Sequence, residues 1–357
     1  MYSLLRRKII EISTMKNVRV GVIGAGIIGV STAYNVQLLC PNAEVSIIAA
    51  EFSPNTTSDG AAGFIQPYLA PGTPKEDIQR WFKSTWMHLT KIIKSADAGK
   101  AGVHFTSGYN VFKKFEPDPE WKDEVLGFRH ATQYELNDLF PSFKHGWFFT
   151  SLICESERYI PFLTEKFLKN GGKLIQRRVN NFAELGDQYD VIVNCTGIGA
   201  RFLANDDSVE PVRGQVMRLS YHENMCRSHI ITRESTGESH THTLIRQDDV
   251  TVGGTAQLGR WDTEVDPKDA QQIWERACNV IPSLKGAKIK KHWVGLRPQR
   301  SKGVRVEAET LTYGSNKIKI VHNYGHGGCG ITLHWGCALD AARLVQEQLI
   351  PRTVSKL

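Results

Sequence analysis

Val18-Arg-Val-Gly-Val-Ile-Gly-Ala-Gly-Ile-Ile-Gly29 decides how this chain is read. Val18 to Ile23 is an apolar run, the pattern of a strand buried on both faces of a parallel sheet. It enters Gly24-x-Gly26-x-x-Gly29, and a helix-compatible segment follows to Leu39. Strand, glycines and helix in that order form a dinucleotide fingerprint: Gly24 for the tight turn, Gly26 for approach of a pyrophosphate, Gly29 for close helix–strand packing. The helix start offers unpaired N–H groups to phosphate. At this stage NAD and FAD both remain open.

Outward from that stretch, Val45 to Ile48 reads as the second parallel strand, with Ala50 and Glu51 at its end. An acid there can hold ribose hydroxyls. Pro54 to Gly63 is rich in small and hydroxyl residues, suited to wrapping a phosphate or sugar. Lys75 to Ala98 is helical, with Trp81, Phe82, Trp86 and Leu89 as a core stripe. Asp190 to Gly197 is another buried strand ending in Thr-Gly, and Pro211 opens a strand-rich region. Asp266 to Val280 is helical; Arg177 and Arg178 read as surface charge. Ile318 to His322 is a strand, Tyr324 to Gly330 a glycine loop, and a helix follows with Ile331, Trp335, Ala338, Ala342, Val345 and Leu349 inward. Two strand–glycine–helix devices, one near each end, imply an α/β fold: a Rossmann-like nucleotide domain built from both ends and a β-rich, α+β substrate domain. The expected segments are 15–65, 150–200 and 286–357 for the first and 66–149 and 201–285 for the second.

Length and composition agree. The chain has 357 residues, about two domains' worth, and no apolar run long enough to span a membrane. Its charge of 44 − 37 = +7 is dispersed, with no nucleic-acid-binding pattern. Seven scattered cysteines read as free thiols in a reducing compartment. No metal-ligand spacing appears. Residues 1–14 read as an extension, with Met15 a second candidate start. Ser355-Lys356-Leu357 is the peroxisomal import tripeptide, so a peroxisome-matrix address and an import receptor are expected.

Several motifs in order resemble the D-amino acid oxidase family, nearest its D-aspartate-oxidising branch: Gly24-x-Gly26-x-x-Gly29, Thr56-Thr-Ser-Asp59, Ala61-Ala-Gly63, Val193-Asn-Cys-Thr-Gly197, Pro211-Val-Arg-Gly-Gln-Val216, Gly295-Leu-Arg-Pro298, Tyr324-Gly-His-Gly-Gly328 and His334-Trp-Gly336. The resemblance implies a flavin-dependent oxidoreductase acting on CH–NH2 with oxygen as acceptor. It implies FAD as the cofactor, an acidic D-amino acid (D-aspartate, D-glutamate or N-methyl-D-aspartate) as substrate, and a 2-oxo acid, ammonia and hydrogen peroxide as products. A homo-oligomer is compatible with it. It carries substrate roles to Arg297 (the α-carboxylate clamp), Arg233 (side-chain carboxylate) and Gly328 (beside the amine). It carries FAD contacts to Gly24, Gly26, Ile27, Ile28, Gly29, Ala50, Glu51, Thr57, Ser58, Gly63, Phe64, Val179, Gly327, Gly330, Ile331 and Thr332. Three positions depart from the acidic branch. Gly328 replaces a serine; Ala256 stands where a second arginine is expected, with Arg246 or Arg260 as substitutes; Ser239, His240, His242 and Thr243 replace pocket tyrosines. His240 and His242 share a strand face and read as pocket or surface histidines. The rivals are an oxidase of neutral D-amino acids, a non-catalytic nucleotide-binding sensor and an NAD dehydrogenase.

Overall fold

In the computed structural model, residues 18–350 are described except 69, 224 and 234–239, with backbone alone for 233 and 240. The strands are β1 (Val18–Ile23), β2 (Ala43–Ala49), β3 (Val103–Phe112), β4 (Leu126–His130), β5 (His145–Cys154), β6 (Lys173–Gln176), β7 (Val191–Asn194), β8 (Val209–Leu219), β9 (His229–Arg233), β10 (His240–Ile245), β11 (Val250–Gly253), β12 (Gln257–Leu258), β13 (Ile289–Arg300), β14 (Arg305–Tyr313) and β15 (Asn316–Tyr324). The longer helices are α1 (Ile27–Leu39), α2 (Lys75–Ile93), α3 (Ser156–Lys169), α4 (Pro267–Val280) and α5 (Gly330–Leu349).

β1 exposes Arg19 and buries every other residue, as a central strand must. It pairs in parallel with β2 and β7. The sheet runs β14-β15-β7-β1-β2-β6, with β14 as an antiparallel edge on β15. α1 packs against α5 and α3, which explains why it is apolar nearly all round rather than on one stripe. α5 meets α2 so closely that a Cβ on Gly336 would lie 2.4 Å from Trp81 Cα. The stripe of Trp81, Phe82, Trp86 and Leu89 is core, as its spacing predicts. So are the six apolar positions expected of α5.

The second sheet has the order β12-β8-β11-β10-β9-β3-β5-β4, with β13 added to β8. α4 covers it, started by Asp266, whose carboxylate accepts from Lys268 N at 2.9 Å with Pro267 in the first turn. β5 crosses the boundary expected at 150, and β13 lies beyond the one expected at 286. Both belong to this larger sheet. β13 pairs antiparallel along the whole of β8, from Ile289 opposite Leu219 to Arg300 opposite Val209. That pairing is long-range and leaves no local trace in the sequence. All seven cysteines are free. No helix among the described residues is long and apolar enough to cross a membrane.

Candidate active site

A cavity of about 660 Å³ is lined from both sheets. Its first end is the β1–α1 turn. Gly24 has φ +110, and a Cβ there would lie 2.4 Å from Cys195 O, so glycine is required. Gly29 does not line the cavity; its missing Cβ, 1.9 Å from Gly24 O, lets α1 sit on the turn. Neither an acidic side chain nor a side-chain cap occupies the first turn of α1. Ile27 N donates to Ser58 Oγ at 3.1 Å. Such a helix start favours an anion. The loop holding Thr57 and Ser58 is braced by buried Asp59, which accepts from Thr56 N at 2.9 Å and Thr56 Oγ1 at 2.6 Å. Ala50, Glu51 and Val179 line this end. So do Arg177 and Arg178, expected as plain surface charge: Arg177 N donates to Ala49 O at 2.9 Å, which carries both to the end of β2.

The second device meets the same cavity. Gly327, Gly328, Gly330 and Ile331 line it, and the first turn of α5 also lacks a side-chain cap and an acid. Thr332 stands behind this wall. Its hydroxyl accepts from Gln66 N at 3.2 Å and donates to Gln66 O at 3.0 Å, tying α5 to the loop that bears Gly63 and Phe64. Beyond Gln66, Tyr68 is held through Cys329, whose Sγ accepts from Tyr68 N at 2.9 Å and donates to Tyr68 O at 2.7 Å. His326 lines the wall, and burial pushes its imidazole down to about 3, leaving it neutral.

The remaining wall is sheet. Trp293, Gly295 and Arg297 alternate along β13 onto one face, opposite Gly214 and Val216 of β8. Ile231 of β9 and His242 and Leu244 of β10 continue it. The Arg297 guanidinium lies over Gly214, whose Cβ would be 2.3 Å from Nη1. Nη1 donates to Thr255 O at 3.0 Å and, more weakly, to Val212 O at 3.5 Å. Among the described residues no carboxylate pairs with Arg297. Burial lowers its pKa, and Tyr68 opposes that shift. A guanidinium stays charged under such conditions, so the wall presents a half-buried cation that awaits an anion.

A family model described as FAD-dependent oxidoreductase matches residues 19–344. Human D-aspartate oxidase is 42% identical over 337 residues, covering 93% of this chain and 96% of that protein. D-amino-acid oxidase of Rubrobacter xylanophilus is 37% identical, covering 93% and 97%. The chain belongs to the D-amino acid oxidase family of FAD-dependent oxidoreductases. The fold agrees: glycine oxidase of Geobacillus kaustophilus superposes with a TM-score of 0.75 at 16% identity, covering 94% of this chain and 96% of that one.

The residues present fit the FAD of this family. Two uncapped helix starts face one elongated cavity, glycines at 24 and 63 keep backbone in reach of it, and Glu51 offers a ribose acceptor. Every residue expected at the cofactor lines the cavity except Gly29 and Thr332, which hold its walls from behind.

The expected second arginine fares differently. Arg246 is buried away from the cavity, paired with Glu155 at 3.3 Å, Glu157 at 2.7 Å and Asp249 at 3.1 Å. Arg260 is bound to Asp262 at 2.6 Å and Asp266 at 3.1 Å. Both are spent in ion pairs and neither replaces the arginine missing at Ala256. Arg233 ends β9, two positions after Ile231, with its backbone opposite His240; its side chain lies outside the described residues, as do Ser239 and Ser355-Lys356-Leu357. Sequence reasoning did not single out Tyr68 or Trp293. Trp293 carried a usable signal, the two-residue steps to Gly295 and Arg297; Tyr68 carried none.

Proposed function

We propose that this protein oxidises acidic D-amino acids (D-aspartate, D-glutamate and N-methyl-D-aspartate) to the 2-oxo acid, with release of ammonia and hydrogen peroxide. One observation carries the reading: Arg297 is a half-buried cavity-wall cation held by backbone carbonyls and, among the described residues, by no carboxylate. The α-carboxylate of an amino acid supplies the missing charge through two parallel hydrogen bonds, which fixes the direction of the Cα–H bond. The amine then falls toward the Gly327–Gly328 backbone. Val216, Ile231, Leu244 and Trp293 exclude water from the reacting carbon. Bound FAD supplies the two-electron acceptor and the passage of electrons to oxygen. With the amine arriving neutral, the protein's part is positioning rather than acid–base work.

The acidic preference is supported by the 42% identity to human D-aspartate oxidase and by the positive character of the wall. The sequence resemblance offers Arg233 for the side-chain carboxylate, and its side chain lies outside the described residues. Ala256 and Gly328 favour a second reading, a preference for neutral D-amino acids. The terminal Ser355-Lys356-Leu357 fits residence in the peroxisome matrix, delivered by the import receptor, where peroxide is handled. Peroxide release by the FAD-supplemented protein, with D-aspartate and D-alanine side by side, separates the readings. A kcat/KM for D-aspartate about tenfold or more higher, the worth of ~1.4 kcal/mol, is expected. D-alanine ahead would establish the neutral reading, and no peroxide with either would leave a nucleotide-binding protein without turnover.

A further inference from the structure

Between the sheet wall and the glycine loop, one side chain has a place that neither the motifs nor the cofactor explains. His242 projects from β10 into the cavity wall. In register it sits opposite Ile231 of β9 and Gly253 of β11. Its imidazole lies where glycine side chains would be. A Cβ on Gly253 would fall 2.5 Å from His242 Nε2, and one on Gly254 3.1 Å from its Cε1. The glycine pair therefore forms a cradle for this ring.

Arg297 is close by. The guanidinium rests over Gly214, while the imidazole lies beside Val216, whose Cγ1 would be 2.7 Å from the same Gly253 Cβ. Gly253 of β11 stands opposite Val216, two residues along β8 from Gly214, so the places of the two head groups are one strand spacing and two residues apart, roughly 8 Å. That is on the order of the reach of one short amino dicarboxylic acid with a hydrogen bond at each end. The surroundings favour anions. Ile231 opposite His242, Leu244 two residues along the same strand, and Val216 beside Gly253 are apolar and line the cavity with it. Glu51 is the one carboxylate among the described lining residues, and it lies by the β1–α1 turn. The two carboxylates of such a substrate would thus meet Arg297 and His242 with no acid other than Glu51 among the described lining residues.

We infer that His242 receives the side-chain carboxylate of the substrate and sets the preference for acidic D-amino acids, in the absence of the arginine that Ala256 replaces. This rests on the acidic reading above and adds the residue that produces it. The ring donates an N–H to the carboxylate, and when protonated adds a charge.

The test uses the FAD holoenzyme and the variants His242→Leu, His242→Gln and Arg233→Ala. The readouts are kcat/KM for D-aspartate and D-alanine, and the dissociation constants of malonate and propionate followed by flavin absorbance. His242→Leu is expected to lower the D-aspartate to D-alanine ratio about tenfold or more, mainly through KM, and to weaken malonate more than propionate. His242→Gln, which keeps an N–H donor, is expected to lose less; it decides the matter if the leucine variant does not hold FAD. An unchanged ratio in both His242 variants overturns the inference, as does an equal loss for both amino acids. A ratio that collapses in Arg233→Ala alone also overturns it, assigning the carboxylate to Arg233. If the unaltered enzyme itself prefers D-alanine, the acidic reading fails first, and that result is visible before any variant is compared.

Discussion

Arg213 and Arg297 lie on paired strands, with Arg213 opposite Leu296 and Val212 opposite Arg297. Arg213 is fully buried and Arg297 half-buried, and their register is one residue out of step, so they face opposite sides of the same sheet. On the far side, Arg213 is saturated: it donates to Asp262 at 3.1 Å, Asp269 at 3.0 Å and Gln257 at 2.8 Å. On the cavity side, Arg297 has two backbone carbonyls and, among the described residues, no carboxylate. A buried ion pair that is complete serves the fold. A cation left incomplete by the protein is a binding site for what completes it. The same residue type on neighbouring strands has two functions because of which face its register selects.

Removing Arg213 should produce the largest effect on stability and little on the chemistry. Arg213→Ala takes from Asp269 its buried cation, leaving it Gln257 and, at 3.5 Å, Arg260, and is expected to cost about 3 kcal/mol. Urea denaturation checks this, alongside turnover per bound flavin, which should stay near that of the unaltered protein. A collapse of per-flavin turnover with stability intact would erase the contrast between the faces.

Gly214→Ala sharpens it from the other side. The new Cβ would occupy the space of the Arg297 guanidinium, so the clamp must move. We expect a loss of roughly ten- to a hundredfold in kcat/KM, or ~1.4–2.7 kcal/mol, with FAD content maintained. Steady-state kinetics with D-aspartate checks it.

Acid tests a third kind of buried group, one kept neutral. Burial pushes His229 and His326 down to about 3 and His334 to about 4. His229 is packed between Phe64 at 4.7 Å and Phe149 at 5.1 Å. Below the ordinary imidazole value near 6.5, the unfolded chain takes up protons that the folded chain refuses. Stability is therefore full above that value and falls as pH drops from about 6.5 toward 4, by up to ~1.4 kcal/mol per pH unit for each imidazole. Urea midpoints at pH 7.5, 6 and 5 should fall in that order, and His229→Phe should flatten the decline.

The smallest effect belongs to Arg260. Its pairs with Asp262 and Asp266 are partly exposed. Arg260→Ala should barely move the urea midpoint and leave the preference between D-aspartate and D-alanine unchanged, as the ratio of their kcat/KM values would show.

The parts of this architecture that were legible in the sequence are those governed by local pattern. The run Val18–Ile23 with Gly24 and Gly26 announces β1 and α1, and the inward positions of α5 follow its helical period. The position of Arg297 in the cavity also agrees with its motif. Long-range pairing was not legible. β13 joins β8 across the intervening residues 220–288, Tyr68 is placed by Cys329, and Arg246 is drawn away by Glu155 and Glu157. Charge type alone could not tell an arginine facing a cavity from one facing an acid, because a register shift of one residue exchanges the two.

The most direct measurement is kcat/KM for D-aspartate in Arg297→Ala at equal FAD content. The account predicts a loss of at least about a hundredfold, as expected when a charge-paired buried contact worth ~3 kcal/mol or more is removed, together with loss of malonate binding. Turnover and malonate binding close to those of the unaltered enzyme would contradict it.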